Sequence, residues 1–402
     1  MERLTSFERD CVEQAAATPM LGRVENWAAI NSGSRNLDGL KRIAADLADA
    51  FSALPGRLDL LDPAPVETVD EAGKRVDVLH GQNIRLAVRP EAPLQLLFTG
   101  HMDTVFGADH AFQGMRWLDE GVLNGPGVAD MKGGIAVMLA ALSAVEKSPI
   151  ATSIGYEVIL NSDEEVGSLG SADLISRAAA GKRAALTYEP SALPDGTFAG
   201  ARPGSGNFSF TVTGKSAHAG RNPQDGRNAL VAAADLALRL KAGMREGLSV
   251  NPARIDGGSP NNVVPDLAVL RVNLRPLSLE DQAAAQMLIE TSVAEVAAEH
   301  DVAIAIHGHF ARPPKPMTPA LESLFGVVRQ AGADLGQPVA WQSTGGVCDG
   351  NNIAACGVPV IDTMGVRGGS IHSMEEFLIV ASLSERAALS ALTILRLAGE
   401  SR

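Results

Sequence analysis

The sequence predicts an α/β fold: a mostly parallel sheet flanked by helices, interrupted by a smaller inserted α+β unit. Three observations carry that expectation. Apolar runs of strand length alternate with helix-period segments over the first half of the chain. A Gly- and Pro-rich stretch, "GARPGSG" (200–206), then breaks the rhythm, and the alternation resumes after a second such stretch, "ARPPKPMTP" (311–319).

The elements follow in order. Residues 37–54, "LDGLKRIAADLADAFSAL", repeat apolar positions at helical spacing and stop before Pro55-Gly56. "NIRLAVRP" and "LQLLFTG" are strands, "GGIAVMLAALSAVEK" is a helix and "IGYEVILNSD" a further strand; a helix over 171–180 leads to the strand "RAALTYEP". Strands separated by helices imply parallel neighbours covered on both faces, with function collected at the carboxyl ends of the strands. Beyond "GARPGSG" come the strand "NFSFTVTGK", the helix "GRNALVAAADLALRLKAG", the strand "NVVPDLAVLRVNLRP", the helix "SLEDQAAAQMLIETSVAEVAAEH" and the strand "VAIAIHGHF". These make an inserted unit over 203–312, within the usual size of a domain. Residues 1–202 and 313–402 then form one discontinuous domain around it.

A chain of 402 residues can bury a large core, and 46% apolar against 20% charged residues is ordinary for a soluble globular protein. A net charge of −13 without any cluster of Lys and Arg argues against nucleic acid or an anionic membrane as partner. The N-terminal "MERLTSFERDC" has no apolar secretory core and the apolar helix near "GGIAVMLAALSAV" is short for a bilayer, which points to a cytoplasmic protein. Cys11, Cys348 and Cys356 form no CxxC pair and are expected as buried thiols.

Chemistry gathers at predicted strand ends. "LLFTGHMDTV" sets His101 and Asp103 two apart on one face of an extended chain, the pattern of a metal-binding imidazole with a supporting carboxylate. "NGPGVADMKGG" places Asp130 between a glycine-rich turn and a helix N-terminus, without the GxxxxGK[ST] spacing of a phosphate loop. "NSDEEVGS" holds Asp163, Glu164 and Glu165 side by side, three like charges that destabilise a fold unless a cation compensates. One of them can ligate a divalent metal while its neighbour takes a proton from water. Glu189 closes "ALTYEP" and His372 stands in "GGSIHSMEEF". Together His101, Asp130, Glu165, Glu189 and His372 supply two imidazoles and three carboxylates, a set suited to two zinc ions sharing one carboxylate.

These motifs, "GHMDTV", "GPGVADMKGG", "NSDEEVGS", "YEP" and "GGSIHS", resemble in order those of the dizinc metallopeptidase family of bacterial glutamate carboxypeptidases, aminoacylases, acetylornithine deacetylases and succinyl-diaminopimelate desuccinylases. The resemblance spans almost the whole chain and is nearest to the glutamate carboxypeptidase branch. It implies a zinc-exopeptidase-like catalytic domain with a ferredoxin-like inserted lid that also forms a homodimer. It implies that Asp130 bridges the metals, with His101 and Glu189 on one ion, Glu165 and His372 on the other, and a cis Asp130-Met131 bond. Asp103 would orient His101, Glu164 would be the general base, and His218, in "TGKSAHAGRNPQDGRNA", would stabilise the tetrahedral intermediate, in cis or from a neighbouring subunit. Asn262 and Arg275 would hold the substrate carboxylate, with Arg271 on the same strand face as a competing candidate. The reaction implied is amide hydrolysis releasing a C-terminal amino acid, glutamate in the nearest branch, from an N-acyl amino acid or peptide. Small N-acyl amino acid deacylation is the second reading. Zinc is the expected metal, with cobalt or manganese admitted by a carboxylate-rich site.

Other classes fit less well. No GxSxG elbow is present, and "GARPGSG" lacks a dinucleotide fingerprint after a strand. His307 and His309 face one way on a strand and form at most an accessory metal pair. A non-catalytic relative would be expected to have lost a ligand or the base, and this chain keeps them all. Cys348 stands in the glycine-rich "TGGVCDGNN" segment where relatives often have Ser, which leaves the side-chain pocket open.

Overall fold

In the computed structural model, which describes residues 4–399, a six-stranded sheet runs in the order Arg57–Leu61, Asn83–Val88, Ile154–Asn161, Leu94–His101, Ala184–Thr187, Val360–Ile361. The last four are mutually parallel, and Asn83–Val88 is antiparallel to both its neighbours. His101 lies level with Asn161 across the parallel pair. The two strand ends therefore deliver His101 and the acidic turn after Asn161 to the same place.

Both faces of the sheet are covered, so its central strands are mostly apolar on both sides. Leu96 and Phe98 point into the main core with the helix Gly134–Val145, while Leu97 and Ile159 point the other way, onto the helices Ala172–Ala179 and Asp349–Ala355. The helix Gly134–Val145 is buried nearly all round, which explains its lack of a polar stripe. A Cβ on Gly134 would stand 1.9 Å from the Tyr188 carbonyl oxygen, so glycine lets this helix ride on the strand end that carries Glu189. With the preceding turn, Val128–Val145 is longer than the sequence reading allowed and would pass as a membrane span by length and composition. It is 94% buried inside the fold and is a core helix.

A second sheet is wholly antiparallel, in the order Leu248–Gly257, Leu267–Pro276, Ser205–Thr213, Ala303–Arg312. The helices Ala229–Ala242 and Leu279–His300 close one face over Phe208, Phe210, Leu270, Val272 and Leu274. Asn207, Arg271, Asn273 and Arg275 alternate onto the other, open face. The strand Leu248–Gly257 was not expected; it contains Pro252 and Gly257, which weaken the strand signal and are tolerated at a sheet edge.

Two unforeseen features join the sheets. Arg202 and Lys315 exchange backbone hydrogen bonds of 2.9 and 3.0 Å where the chain enters and leaves the second sheet. Beneath them Asp362 accepts from Arg202 Nε at 2.8 Å and Lys315 Nζ at 2.7 Å, all three side chains being buried. A hairpin, Val66–Val69 and Arg75–Val78, reaches the open face, where Arg271 Nη1 donates to the Val69 carbonyl at 3.0 Å and Arg254 pairs with Glu71.

Candidate metal centre

Each acidic or imidazole group predicted as a ligand arrives from its own structural cause. His101 ends a buried parallel strand. Asp130 sits in the tight turn Val128–Gly133 behind Gly127, whose φ of 74° requires the left-handed region, and the Asp130-Met131 peptide is cis. Glu164 and Glu165 occupy a single 3-10 turn after the strand Ile154–Asn161. Glu189 follows the strand Ala184–Thr187, and a Cβ on Gly365 would stand 2.6 Å from its carbonyl oxygen, so the 362–366 loop packs directly against it. His372, itself at a φ of 62°, comes from the loop after Gly368–Gly369.

These side chains converge. His101 Nε2 lies 3.1 Å from Asp130 Oδ1 and 3.6 Å from Glu189 Oε2. His372 Nε2 lies 3.2 Å from the other Asp130 oxygen and 3.1 Å from Glu165 Oε2. An ion held tetrahedrally at ~2.0–2.1 Å has ligand-to-ligand edges of roughly 3.3 Å. The observed separations bracket that value, and the donor set of imidazoles and carboxylates suits a divalent cation. The ligand atoms of His101, Asp130 and Glu165 fall within 4.8 Å of one another, as do those of His101, Glu164 and Glu189. His307 and His309 join no such group among the described residues.

Burial and close like charges set the proton affinities of these groups. Burial pushes Glu164 well above the usual carboxylate range despite Arg312, and raises Glu189 to about 7. Burial also penalises a charged His101, yet Glu189, Asp103 and Asp130 more than reverse this and hold its pKa well above the ordinary value. Hydrogen bonds to Asp130 and Glu165 raise His372 to about 11. Protons are thus held where cations fit.

Asp103 is fully buried, and its contact with His101 is chiefly through the main chain: the Asp103 carbonyl lies 3.0 Å from His101 Nδ1, its nearer carboxylate oxygen 3.4 Å. The carboxylate instead accepts the Glu164 and Glu165 amides, each at 3.1 Å, and the Ser34 hydroxyl at 2.7 Å. Asp163 likewise faces inward, accepting from Gly170 N and Ser171 Oγ, both at 2.6 Å.

Sequence reasoning passed over two residues. Arg312, read as part of a linker, is buried with Nη2 2.7 Å from Glu164 Oε1, in ion-pair range though off the hydrogen-bonding direction. Glu376 is fully buried and accepts the backbone N–H groups of Gly127, Ala129 and Asp130 at 3.0–3.1 Å, fixing the turn that presents Asp130. The pattern "HSMEEF" contained the Glu376 signal, an acid four residues after a candidate ligand, whereas nothing local marks Arg312.

The remaining candidates divide. Arg275 lines a cavity of about 630 Å³ together with Glu164, Glu165, His372 and Arg312. Arg271 does not; Val69, Ser209 and Asp256 occupy it. His218 and Asn262 are exposed and adjacent, Ala219 N donating to the Asn262 carbonyl at 2.9 Å, and neither lines this cavity. Cys348 is buried and caps the helix Asp349–Ala355. Cys356 is exposed, against the expectation of three buried thiols, because it ends that helix at the surface.

Residues 97–396 match the model of peptidase family M20/M25/M40. The chain belongs to that family. It is 30% identical to carboxypeptidase G2 of a Pseudomonas species over 332 residues, covering 81% of this chain and 79% of that one. It is 28% identical to the succinyl-diaminopimelate desuccinylase of Maricaulis maris, covering 73% and 78% of the two chains. Among solved structures, an M20 family metallo-carboxypeptidase from Sulfolobus solfataricus superposes with a TM-score of 0.73 at 13% identity, over 95% of this chain and 99% of that one. The M20 chain described here is accordingly a hydrolase of the metallopeptidase and amidohydrolase type, and it uses a divalent metal.

Proposed function

We propose that this M20 enzyme releases a C-terminal amino acid, glutamate foremost, from an N-acyl amino acid or short peptide, using two zinc ions. The observation that carries the dinuclear reading is the division of Asp130, one oxygen toward His101 and the other toward His372. His101 and Glu189 would hold one ion, Glu165 and His372 the other, with Asp130 between them. When bound, such a pair supplies Lewis-acid polarisation of the scissile carbonyl and acidifies the attacking water. Glu164 would take the proton from the attacking water and return it to the departing amine; its burial beside the candidate ligands and its raised proton affinity suit both transfers. Asp103 holds the Glu164–Glu165 turn through both amides, keeping base and ligand in fixed relation.

Carboxylate recognition is assigned to Arg275, which makes no ion pair among the described residues and faces the cavity. A guanidinium without a protein anion is suited to a substrate carboxylate. Arg312 enters this reading as a second cation on the cavity wall. Residues 203–312 would act as the inserted lid and dimerisation domain, with His218 and Asn262 completing the site of the neighbouring subunit; their exposure away from their own cavity supports this arrangement. Deacylation of small N-acyl amino acids is the alternative, and the similarity to succinyl-diaminopimelate desuccinylases favours keeping it.

The deciding experiment measures the metal content of purified protein and then hydrolysis of N-acyl amino acids and dipeptides, with and without chelator. Two equivalents of zinc and chelator-sensitive release of one amino acid are expected. Protein that stays inert after zinc is restored would refute the reading.

A further inference from the structure

The open face of the second sheet carries three asparagines in one cross-strand row: Asn251 pairs with Asn273, and Asn273 with Asn207. Neighbouring strands lie about 4.8 Å apart, so the row presents carboxamides at that interval. Asparagine is disfavoured in strands, and three in register are a cost that packing does not offset, because the apolar side of the sheet is the opposite face. All three line the cavity that also holds Glu164, Glu165 and His372.

Their hydrogen bonding is unevenly used. Asn273 is fixed: its Nδ2 donates to Ser205 Oγ at 3.0 Å and Asn207 Oδ1 at 2.8 Å, and its Oδ1 accepts from Arg275 Nε at 3.0 Å. Asn207 Nδ2 and both amide atoms of Asn251 have no side-chain hydrogen bond among the described residues. An ordered centre thus positions Arg275, and it is flanked by the unengaged Nδ2 of Asn207 and the unengaged carboxamide of Asn251. A carboxamide offers one acceptor and a donor pair, the complement of a peptide group, and it carries no charge to select a second anion.

We infer that this row binds a second amide in the acyl portion of the substrate, so that the preferred substrate is peptidyl rather than a simple alkanoyl amino acid. The inference rests on the reading that the enzyme releases a residue with a free carboxylate, and it adds the nature of the group on the other side of the scissile bond. An alkanoyl chain lying on the row would cover Asn207 Nδ2 and the Asn251 amide without giving either a partner, a penalty that a peptide group avoids.

The test compares acetylalanyl and pentanoyl derivatives, chains of equal length with and without the second amide, each carried on glutamate, leucine and alanine. Binding to the zinc-loaded Glu164→Gln enzyme is measured by calorimetry, so turnover is not needed. At least one acetylalanyl probe should bind about tenfold or more tightly than its pentanoyl partner, roughly the worth of one good hydrogen bond. Asn251→Leu and, separately, Asn207→Leu should bring that ratio toward one; both positions are exposed, so the variants should fold. Equal affinities in every pair, a ratio unmoved in both variants, or no binding by any probe would overturn the inference. Tight, selective binding with no hydrolysis by wild-type enzyme would fault the functional reading while leaving the carboxamide row in place.

Discussion

Arg312 reaches Glu164 from the last residue of the strand Ala303–Arg312: Nη2 stands 2.7 Å from Oε1 and donates to the Glu164 main-chain oxygen at 2.9 Å. The second sheet is thereby tied to the proposed base. Arg312→Ala leaves a buried carboxylate without its cation, which costs about 3–5 kcal/mol where such pairs are broken. We expect a clear fall in melting temperature and a loss of kcat/KM of at least about a hundredfold. Arg312→Lys should recover only part of either, since an ammonium lacks the planar fork. Wild-type kinetics in Arg312→Ala would remove this residue from the site.

Glu164→Gln keeps the shape of the proposed base and removes its ability to take a proton. Turnover should fall by about 10²–10⁴-fold with zinc content near wild type. Loss of zinc in parallel would reassign Glu164 as a ligand.

His372 supplies a dependence on pH with a definite sign. Its pKa rises from an ordinary 6.5 to about 11 through hydrogen bonds to Asp130 and Glu165 in the metal-free fold. Between those values the folded chain keeps a proton that the unfolded chain has released, so this stabilisation is complete below 6.5 and lost as pH rises through about 11. The melting temperature of metal-free protein should therefore fall over that window more steeply than that of His372→Ala. Metal must displace the same proton, so apparent zinc affinity should rise with pH. Calorimetry in buffers of different ionisation enthalpy counts the released protons, and none at neutral pH would contradict the assignment.

The exposed position of His218 makes a prediction about subunits. If it serves a neighbour's cavity, His218→Ala and Glu164→Gln proteins should each be nearly inactive, and mixing them under subunit exchange should restore a measurable fraction of activity. A mixture no more active than its parts would place His218 in its own chain's site or outside catalysis.

Arg275 and Arg271 separate cleanly because Arg271 is ion-paired with Asp256, whereas Arg275 meets no protein carboxylate among the described residues. Arg275→Ala should raise KM for carboxylate substrates by about tenfold or more with little change in stability. Arg271→Ala should leave KM unchanged and loosen the hairpin at Val69, which limited proteolysis can detect. A raised KM in Arg271→Ala alone would reverse the two roles.

Much of this protein was legible along the chain. Alternating strand and helix periods defined the main sheet, and its strand ends marked His101, Glu165 and Glu189 as candidates, because parallel strands expose their carboxyl ends together; Asp130 and His372 come instead from a glycine-rich turn and a loop, and were marked by their local motifs. Local pattern did not reveal the edge strand Leu248–Gly257, whose proline and glycine mimic a loop, or the hairpin Val66–Val69 and Arg75–Val78, too short to show a period.

What the sequence alone determined was the inventory and order of chemical groups, since residue type and strand spacing are local properties. Which oxygen of Asp130 meets which imidazole, the contact of Arg312 with Glu164, the employment of Arg271 by a hairpin, and the row Asn251–Asn273–Asn207 were decided by tertiary structure. These relations join residues tens to hundreds of positions apart, and their strength depends on burial and register, which only the packed sheets impose.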